Sequence, residues 1–241
     1  MQTPVRRWRF KLYIIILKGN NVNDNNFYTP EAMRPLYDKV VPTYQEAFSV
    51  PPWNEVSKCT DEQLRCDDGL SSVAIGDFCN TCGLCPTRPA YEGNELIERF
   101  DALGLSRPTA WYTEQNELGL TLAAIAWKAL PSVIAAEKYS DVPEMNDWIV
   151  DRLGNEPVMW LDEVFANRQL KSKGNLQNFG KFAVGLATIL DCETIAYRTI
   201  EPRMTAVANR DFGDNASIMT RKLEVPDRRD FVTINNIRES L

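Results

Sequence analysis

The sequence predicts a single domain of mixed α/β (α+β) class over residues 1–241, with one insertion at about 54–90. Its 241 residues are 44% apolar and 25% charged, which allows the chain to bury a core without help. Runs of strand-like composition alternate with segments of helical periodicity, and no internal repeat interrupts them. The insertion differs because it is rich in Cys, Gly, Asp, Thr and Pro and has little periodicity.

The first third of the chain supplies a strand and two helices. The apolar run 12–17 predicts a strand, because it is too short for the apolar part of a signal peptide and Lys18 follows instead of a cleavage site. After a polar loop, "NNVNDNNFYTP", apolar residues at helical spacing predict a helix over about 31–48, which Pro42 should break or kink. Helical spacing returns at 92–105, beyond the insertion.

The rest of the chain alternates strands with helices. Two strand-like runs joined around Asn116–Gly119 predict a hairpin, and a variable stretch over 131–154 includes a helical section. The predicted order then runs through a strand in "PVMWLDEVFA", a helix in "LQNFGKFAVGLATIL", a strand in "ETIAYRTI", a helix in "PRMTAVANRDFG" and strands near 216–224 and 230–235.

Charge and residue types exclude several function classes. A formal net charge of −6 and a pI near 4.9 give no support to a nucleic-acid partner. Histidine is absent, so catalytic systems and metal sites that need imidazole are excluded. No segment is long enough to span a membrane. We therefore expect a cytoplasmic protein without a membrane partner, in which disulfides do not persist.

A basic loop with a glycine precedes the helix predicted in "LQNFGKFAVGLATIL". Residues 171–176 read "KSKGNL", in which two lysines add positive charge and Gly174 lets the chain approach a ligand closely. Backbone N–H groups at a helix N-terminus bind phosphate oxygens. The strand–loop–helix–strand unit therefore suggests a phosphate-bearing cofactor, although a solvated turn has the same pattern.

The same segment resembles the acetyl-CoA-binding core of the GNAT N-acetyltransferase superfamily. "LDEVFA" (161–166) is similar to the family's central strand, "NRQL" (167–170) to the four residues after it, and "KSKGNL" (171–176) to its R/Q-x-x-G-x-G/A motif. The order of predicted elements outside the insertion also resembles the family. The resemblance implies a mixed, mostly antiparallel central sheet with a splayed strand pair, flanked by helices.

The resemblance also implies an acyl-CoA, such as acetyl-CoA, as co-substrate. It assigns Val164, Phe165 and Ala166 to the pantetheine arm. It assigns the pyrophosphate to a loop formed by Lys171, Ser172, Lys173, Gly174, Asn175 and Leu176. Leu176 stands where the family has Gly or Ala, so we expect weakened or altered cofactor binding.

Members of the family transfer an acyl group from CoA directly to an amine, which implies an amine-bearing acceptor as the second partner. Asp162 and Glu163 are the candidate bases. Because successive strand residues face opposite sides, we expect one of them to face the cleft, with Asp162 slightly favoured. No tyrosine stands where the family often protonates the leaving thiolate, since Asn209 falls there and Tyr197 is a weak substitute. A catalytically decayed CoA-binding or interaction protein is therefore the alternative. The sequence does not identify the acceptor, and it leaves open whether the chain forms a homodimer.

The cysteines of the insertion predict a metal site. Cys79-x-x-Cys82-Gly has the form of a zinc knuckle, and tetrahedral zinc needs a second pair of ligands. The candidate ligands are Cys59, Cys66, Cys79, Cys82 and Cys85. We favour structural zinc, and an iron–sulfur cluster, disulfides and free thiols are the alternatives. Cys192, at the end of a predicted helix, is expected to be a buried apolar residue.

Overall fold

The fold alternates strands and helices as the sequence predicts. The computed structural model describes residues 26–50, 53–60, 70–71, 73–140, 143–167, 176–199, 201–219 and 230–237. Its strands are β1 (Phe27–Tyr28), β2 (Ser57–Cys59), β3 (Leu70–Ser71), β4 (Thr87–Pro89), β5 (Thr109–Asn116), β6 (Gly119–Ala129), β7 (Val158–Ala166), β8 (Ile195–Thr199), β9 (Ala216–Met219) and β10 (Asp230–Ile234). Its helices are α1 (Pro30–Met33), α2 (Tyr37–Phe48), α3 (Gly93–Ser106), α4 (Pro131–Lys138), α5 (Pro143–Leu153), α6 (Phe179–Ile189) and α7 (Pro202–Phe212).

Seven of these strands form the main sheet, in the order β1–β5–β6–β7–β8–β10–β9. Each neighbouring pair is antiparallel apart from β7 and β8, which run parallel. A parallel pair needs a crossover connection, and α6 supplies it here. This mixed, mostly antiparallel sheet confirms the predicted fold class.

Helices flank the main sheet and bury its apolar side chains. One core cluster joins α6 and α7 to the sheet, and a second joins α2 and α3 to it. The sheet-facing residues in and just after α6 are all buried, namely Phe179, Phe182, Ala183, Leu186 and Leu190. A third cluster holds α4 and α5 against Trp127 and Trp160. Among the helices of the described ranges, none is both long and apolar enough to cross a bilayer.

The hairpin between β5 and β6 lies where the sequence predicts it. The side-chain oxygen of Asn116 accepts hydrogen bonds from the backbone N–H groups of Leu118 at 2.9 Å and Gly119 at 3.2 Å. Gly119 has a φ of 136°, which residues with a Cβ rarely adopt. These features close the turn and set the register in which Asn116 of β5 lies opposite Gly119 of β6.

Two local details differ from what the sequence predicts. α2 continues through Pro42 without a break. The carbonyl that loses its donor belongs to Asp38, an exposed residue in the first turn, where water can bond to it. Phe27 and Tyr28, predicted to lie in a polar loop, instead form a short strand beside β5. The strand predicted at 12–17 lies outside the described residues.

The cysteine-rich insertion has a small sheet of its own. β2 pairs antiparallel with both β3 and β4. In the β2–β4 ladder, Cys59 lies opposite Thr87 and Ser57 lies opposite Pro89. The first and last strands of the described part of the insertion are therefore held together.

Candidate functional site

The main sheet opens between β7 and β8. Their ladder consists of two residue pairs, Met159–Ile195 and Trp160–Ala196. Beyond these pairs β7 continues along β6, and β8 continues along β10. We call this opening the splay. A cavity of about 370 Å³ lies in it, walled by β7, β8, α2 and the start of α7. The splayed strand pair that the resemblance implies is therefore present.

A β-bulge in β7 sets the direction of the two candidate bases. Ile125 of β6 lies opposite Glu163, but the next residue of β6 lies opposite Leu161, so Asp162 is an extra residue. A bulge re-aims the side chains around it. Asp162 and Glu163 both line the cavity, and both approach Arg99. The expectation that strand alternation leaves one of them facing the cleft is wrong.

Asp162 anchors an ion cluster, defined as Asp162, Glu163, Arg99 and Lys138, in which the Asp162 side chain is buried and 41% of the Arg99 side chain is exposed. Its carboxylate pairs with the Lys138 ammonium, accepts a hydrogen bond from Trp160 Nε1 at 2.9 Å and lies 3.8 Å from Arg99. Burial would raise the pKa of Asp162, but Lys138 and Arg99 outweigh it and hold that pKa below its ordinary value. Asp162 is therefore an ionised structural partner and a poor base.

The pKa of Glu163 shifts in the opposite direction to that of Asp162. Its carboxylate accepts a hydrogen bond from the Tyr44 hydroxyl at 3.3 Å and pairs with Arg99 at 2.8 Å, with 19% of its side chain exposed. Burial raises the pKa of Glu163 above its ordinary value, while Arg99 opposes this shift in part and Asp162 adds to it. A carboxylate with a raised pKa accepts a proton more readily near neutral pH. Glu163 suits the role better than Asp162.

Sequence reasoning missed three residues of this site, Tyr44, Arg99 and Lys138. They lie on α2, α3 and α4 and reach β7 through the fold. One signal was available for Arg99, which lies three residues after Leu96 and four before Leu103, on the apolar side of α3. A charged residue at such a position predicts a buried partner. No comparable signal identifies what Lys138 or Tyr44 contacts.

The residues predicted for the pantetheine arm border the cavity. Val164, Phe165 and Ala166 all line it, and Phe165 packs edge-on against Tyr44 with ring centroids 5.0 Å apart. Leu176 lines it as well. The other predicted pyrophosphate residues lie outside the described residues, namely Lys171, Ser172, Lys173, Gly174 and Asn175.

The first turn of α6 already has an anionic partner. The backbone N–H of Gly180 donates to Asp211 Oδ2 at 2.8 Å, and Arg210 pairs with the same carboxylate. Hydrogen bonds from Arg210 and then from Gly180 hold the pKa of Asp211 below its ordinary value. A phosphate at this end of α6 must therefore displace Asp211 or be held by the loop before the helix.

Tyr197, the weak candidate for protonating a thiolate, lies at the cavity. Its hydroxyl donates to the backbone carbonyl of Met204 at 3.0 Å, and burial raises the pKa of Tyr197. A phenol held in this way releases its proton reluctantly. The position of the Tyr197 hydroxyl therefore does not support a role in protonating the leaving thiolate.

Three of the predicted metal ligands form one group. The Sγ atoms of Cys59, Cys82 and Cys85 all lie within 4.8 Å of one another, and those of Cys59 and Cys82 are 3.9 Å apart. Two thiolates bound to one tetrahedral zinc at about 2.3 Å lie about 3.8 Å apart, so this spacing fits the metal. We call these three residues the cysteine group.

The other cysteines are placed differently. Cys79 is buried outside this group, and its backbone closes the turn by donating to the Cys85 carbonyl and accepting from the Gly83 N–H, both at 2.8 Å. The turn therefore presents Cys82-x-x-Cys85 to Cys59, whereas the sequence pattern points to Cys79-x-x-Cys82. Cys66 lies outside the described residues. Cys192 is buried after α6, as predicted.

No protein-family model matches the sequence, and the search of curated proteins finds no significant match. Several solved structures have a similar backbone. Arylalkylamine N-acetyltransferase 2 from Aedes aegypti is 10% identical with a TM-score of 0.48, covering 90% of this chain and 99% of that chain. A GNAT-family acetyltransferase from Listeria monocytogenes is 12% identical with a TM-score of 0.42, covering 87% and 93%.

A third similar structure, from Corynebacterium glutamicum, is described as histone acetyltransferase HPA2 and related acetyltransferase. It is 10% identical with a TM-score of 0.45, covering 88% of this chain and 96% of that chain. At these identities and TM-scores, the likenesses do not bear on which residues act or on the substrate.

Removing Lys138 should leave Asp162 charged and buried with less compensation. We expect Lys138→Met to lower the free energy of unfolding by about 3–5 kcal/mol at pH 7, measured by urea denaturation. Adding the second substitution Asp162→Asn should restore most of the lost free energy of unfolding, because it removes the charge that Lys138 compensates. Because its folded-state pKa is lowered, Asp162 stabilises the wild type above about pH 4 and loses this effect as the pH falls through that lower value.

Lys128→Met is the matched control, since Lys128 bonds to the Asp191 carbonyl at an exposed position. It should change the free energy of unfolding by less than about 0.5 kcal/mol. Equal losses in the two lysine variants would contradict the role given to the ion cluster.

Proposed function

We propose that the chain is an N-acyltransferase that moves an acetyl or other acyl group from CoA to an amine. The observation that carries this proposal is the splay, where one cavity meets the edge of β7 and the carboxylate of Glu163. An extended arm can pair with a strand edge that has separated from its neighbour. Acylation of an amine needs a base close to the thioester, and Glu163 has the raised pKa for it.

Acyl-CoA is proposed to lie with its arm along Val164–Ala166 and its pyrophosphate at the loop 171–176. That loop supplies Lys171 and Lys173 as cations and backbone N–H groups as donors. The loop is the favoured anion site because Asp211 already accepts the hydrogen bond from the first turn of α6. Leu176 borders the cavity and limits how close the cofactor can approach there.

In the proposed reaction, the acceptor's ammonium group first releases a proton to solvent, and the neutral amine nitrogen attacks the carbonyl carbon of the thioester. A C–N bond forms, the C–S bond breaks, and Glu163 accepts the proton that the nitrogen loses. The CoA sulfur leaves as a thiolate and takes up a proton from solvent, to which Glu163 releases the proton it accepted, so the products are an amide and CoA. Holding both reactants in one cavity supplies much of the rate gain. Asp162 and Lys138 are positioning residues, because they hold β7 in place beside α4.

A CoA-binding protein without catalysis is the second candidate. Two observations favour it, since the Tyr197 hydroxyl is already bonded to Met204 and Leu176 replaces the small residue of the motif. Both candidates bind acyl-CoA. Acyl transfer to an amine separates them.

We also propose that the cysteine group binds zinc and stabilises the insertion. Cys66 and Cys79 are the candidates for a fourth ligand. The apolar side chains Ile75, Phe78 and Leu84 are exposed, so the described part of the insertion gains little stability from burying them. A bound metal supplies folding free energy to such a segment.

Glu163→Gln tests the proposed base. We expect kcat/KM for the amine to fall by about 10²- to 10⁴-fold, while acetyl-CoA binding, measured by calorimetric titration, stays unchanged. In the wild type, kcat/KM should rise with pH through the raised pKa of Glu163, because the ionised carboxylate is the form that accepts a proton. This part of the pH profile should be lost in the variant.

Glu98→Gln is the control, since Glu98 is an exposed glutamate on α3. It should keep the activity and the pH profile of the wild type. Full activity in Glu163→Gln would place the base elsewhere. A wild-type protein that binds acetyl-CoA and acylates no amine would favour the non-catalytic candidate.

Elemental analysis tests the metal. We expect about one zinc per chain in the purified wild type. Cys59→Ser, Cys82→Ser and Cys85→Ser should each lose most of it, whereas Cys192→Ser should keep it. Iron with acid-labile sulfide, or an intact mass that shows disulfides, would contradict the zinc proposal.

A further inference from the structure

The small sheet links the cysteine group to the wall of the cavity. We define the ribbon as β2 and β4 together with Glu55–Val56 and Ala90–Tyr91, which continue the two strands. The ladder extends into these residues because the Ala90 N–H donates to the Val56 carbonyl at 3.1 Å. Cys59 lies at one end of the ribbon, and Glu55 and Tyr91 lie at the other. Glu55 and Cys59 are four positions apart, which corresponds to about 13 Å in extended chain.

The far end of the ribbon forms part of the cavity wall. The Tyr91 hydroxyl donates to the Glu55 carboxylate, and both residues line the cavity. α2 holds this end through two bonds: Gln45 Nε2 donates to the Tyr91 carbonyl at 2.6 Å, and the Glu55 N–H donates to the Phe48 carbonyl at 2.8 Å. The Glu55–Tyr91 pair is therefore fixed by α2 on one side and by the ribbon on the other.

Tyr91 also reaches the proposed base through Tyr44. The Tyr91 ring packs on the Tyr44 ring at 85°, with centroids 5.1 Å apart. The Tyr44 hydroxyl donates to Glu163 and accepts from Arg99 at 2.9 Å. Burial raises the pKa of both tyrosines, so both hydroxyls keep their protons at neutral pH. The Glu55–Tyr91 pair thus lies beside the place where an amine would lose its proton.

This part of the wall has the chemistry to bind an amine with an apolar body. Phe48 and Trp53 continue the aromatic surface, with ring centroids 5.4 Å apart. Aromatic faces and a carboxylate together bind the ammonium group of an amine, and the aromatic rings also pack against the apolar body of the same ligand. The described residues proposed for acyl-CoA, Val164–Ala166 and Leu176, line the cavity from β7 and from just before α6.

We infer that the Glu55–Tyr91 pair recognises the acceptor, as the ammonium of a molecule with an apolar body, and that metal held by the cysteine group keeps the pair in place through the ribbon. This inference rests on the proposed function. Loss of the metal should therefore weaken binding of the acceptor and leave binding of acyl-CoA unchanged.

Steady-state kinetics with acetyl-CoA and two amine probes, 2-phenylethylamine and spermidine, test the recognition. Tyr91→Phe and Glu55→Gln should each raise KM for 2-phenylethylamine about tenfold, and KM for acetyl-CoA should stay within about twofold. The wild type should prefer 2-phenylethylamine to spermidine, which carries no large apolar group. Tyr112→Phe is the matched control, because it removes a tyrosine–glutamate hydrogen bond outside the cavity, to Glu114.

Metal removal tests the coupling. Chelation with 1,10-phenanthroline, and separately Cys85→Ser, should raise the amine KM as much as Tyr91→Phe does, whereas Cys192→Ser should not. In Tyr91→Phe, chelation should add little, since both changes act through one contact. An unchanged amine KM in metal-free protein, or a rise in the acetyl-CoA KM alone, would overturn the inference.

Hydrogen exchange separates failure of this inference from failure of the proposed function. Metal removal should speed amide exchange at Glu55 and Ala90, whose N–H groups bond to Phe48 and Val56, and leave exchange in α6 unchanged. If the wild type acylates no amine, the proposed function fails, and the exchange result alone decides whether the cysteine group holds the wall. Unchanged exchange at both amides, or a protein that binds no metal there, overturns the inference.

Discussion

The ion cluster of Asp162, Glu163, Arg99 and Lys138 is the constraint on which the site depends. Asp162 is buried, and a buried charge costs several kcal/mol unless it is paired. Arg99 of α3 and Lys138 of α4 supply its partners and so tie these two helices to β7. The bulge at Asp162 allows these contacts, because it turns both carboxylates towards Arg99. The splay lies beside this cluster, which therefore links the stability of the domain to the shape of its cavity.

Different parts of the chain build the two proposed halves of the site. The acyl-CoA half uses the edge of β7 and the loop before α6, which belong to the main sheet and its crossover. The acceptor half uses α2 and the end of the insertion, where Glu55 meets Tyr91. The described part of the insertion exposes Phe78 and Leu84, and its buried apolar side chains are the small ones of Cys59, Cys79 and Ala90. A metal in the cysteine group would then stabilise the insertion and position the acceptor half together.

Local patterns predicted most of the fold and little of the site. Strand alternation, helical spacing and turn residues act over a few positions, so the hairpin and the buried face of α6 follow from them. The ion cluster joins residues 24 to 64 positions apart, as in Lys138 with Asp162 and Arg99 with Glu163, and no local rule relates them. The bulge inserts one extra residue into β7, and the amino-acid composition of the strand does not indicate where. Spacing alone also allows several cysteine pairings, and the turn that selects Cys82 and Cys85 depends on backbone bonds to Cys79.

Hydrogen exchange of the wild type with and without acetyl-CoA tests most directly whether acyl-CoA binds in the splay. Binding there should slow amide exchange in two segments, Glu163–Ala166 of β7 and the loop 171–176, and leave β9 and the ribbon unchanged. Saturating binding without slower exchange in either segment, or no binding at millimolar acetyl-CoA, would contradict the proposed site.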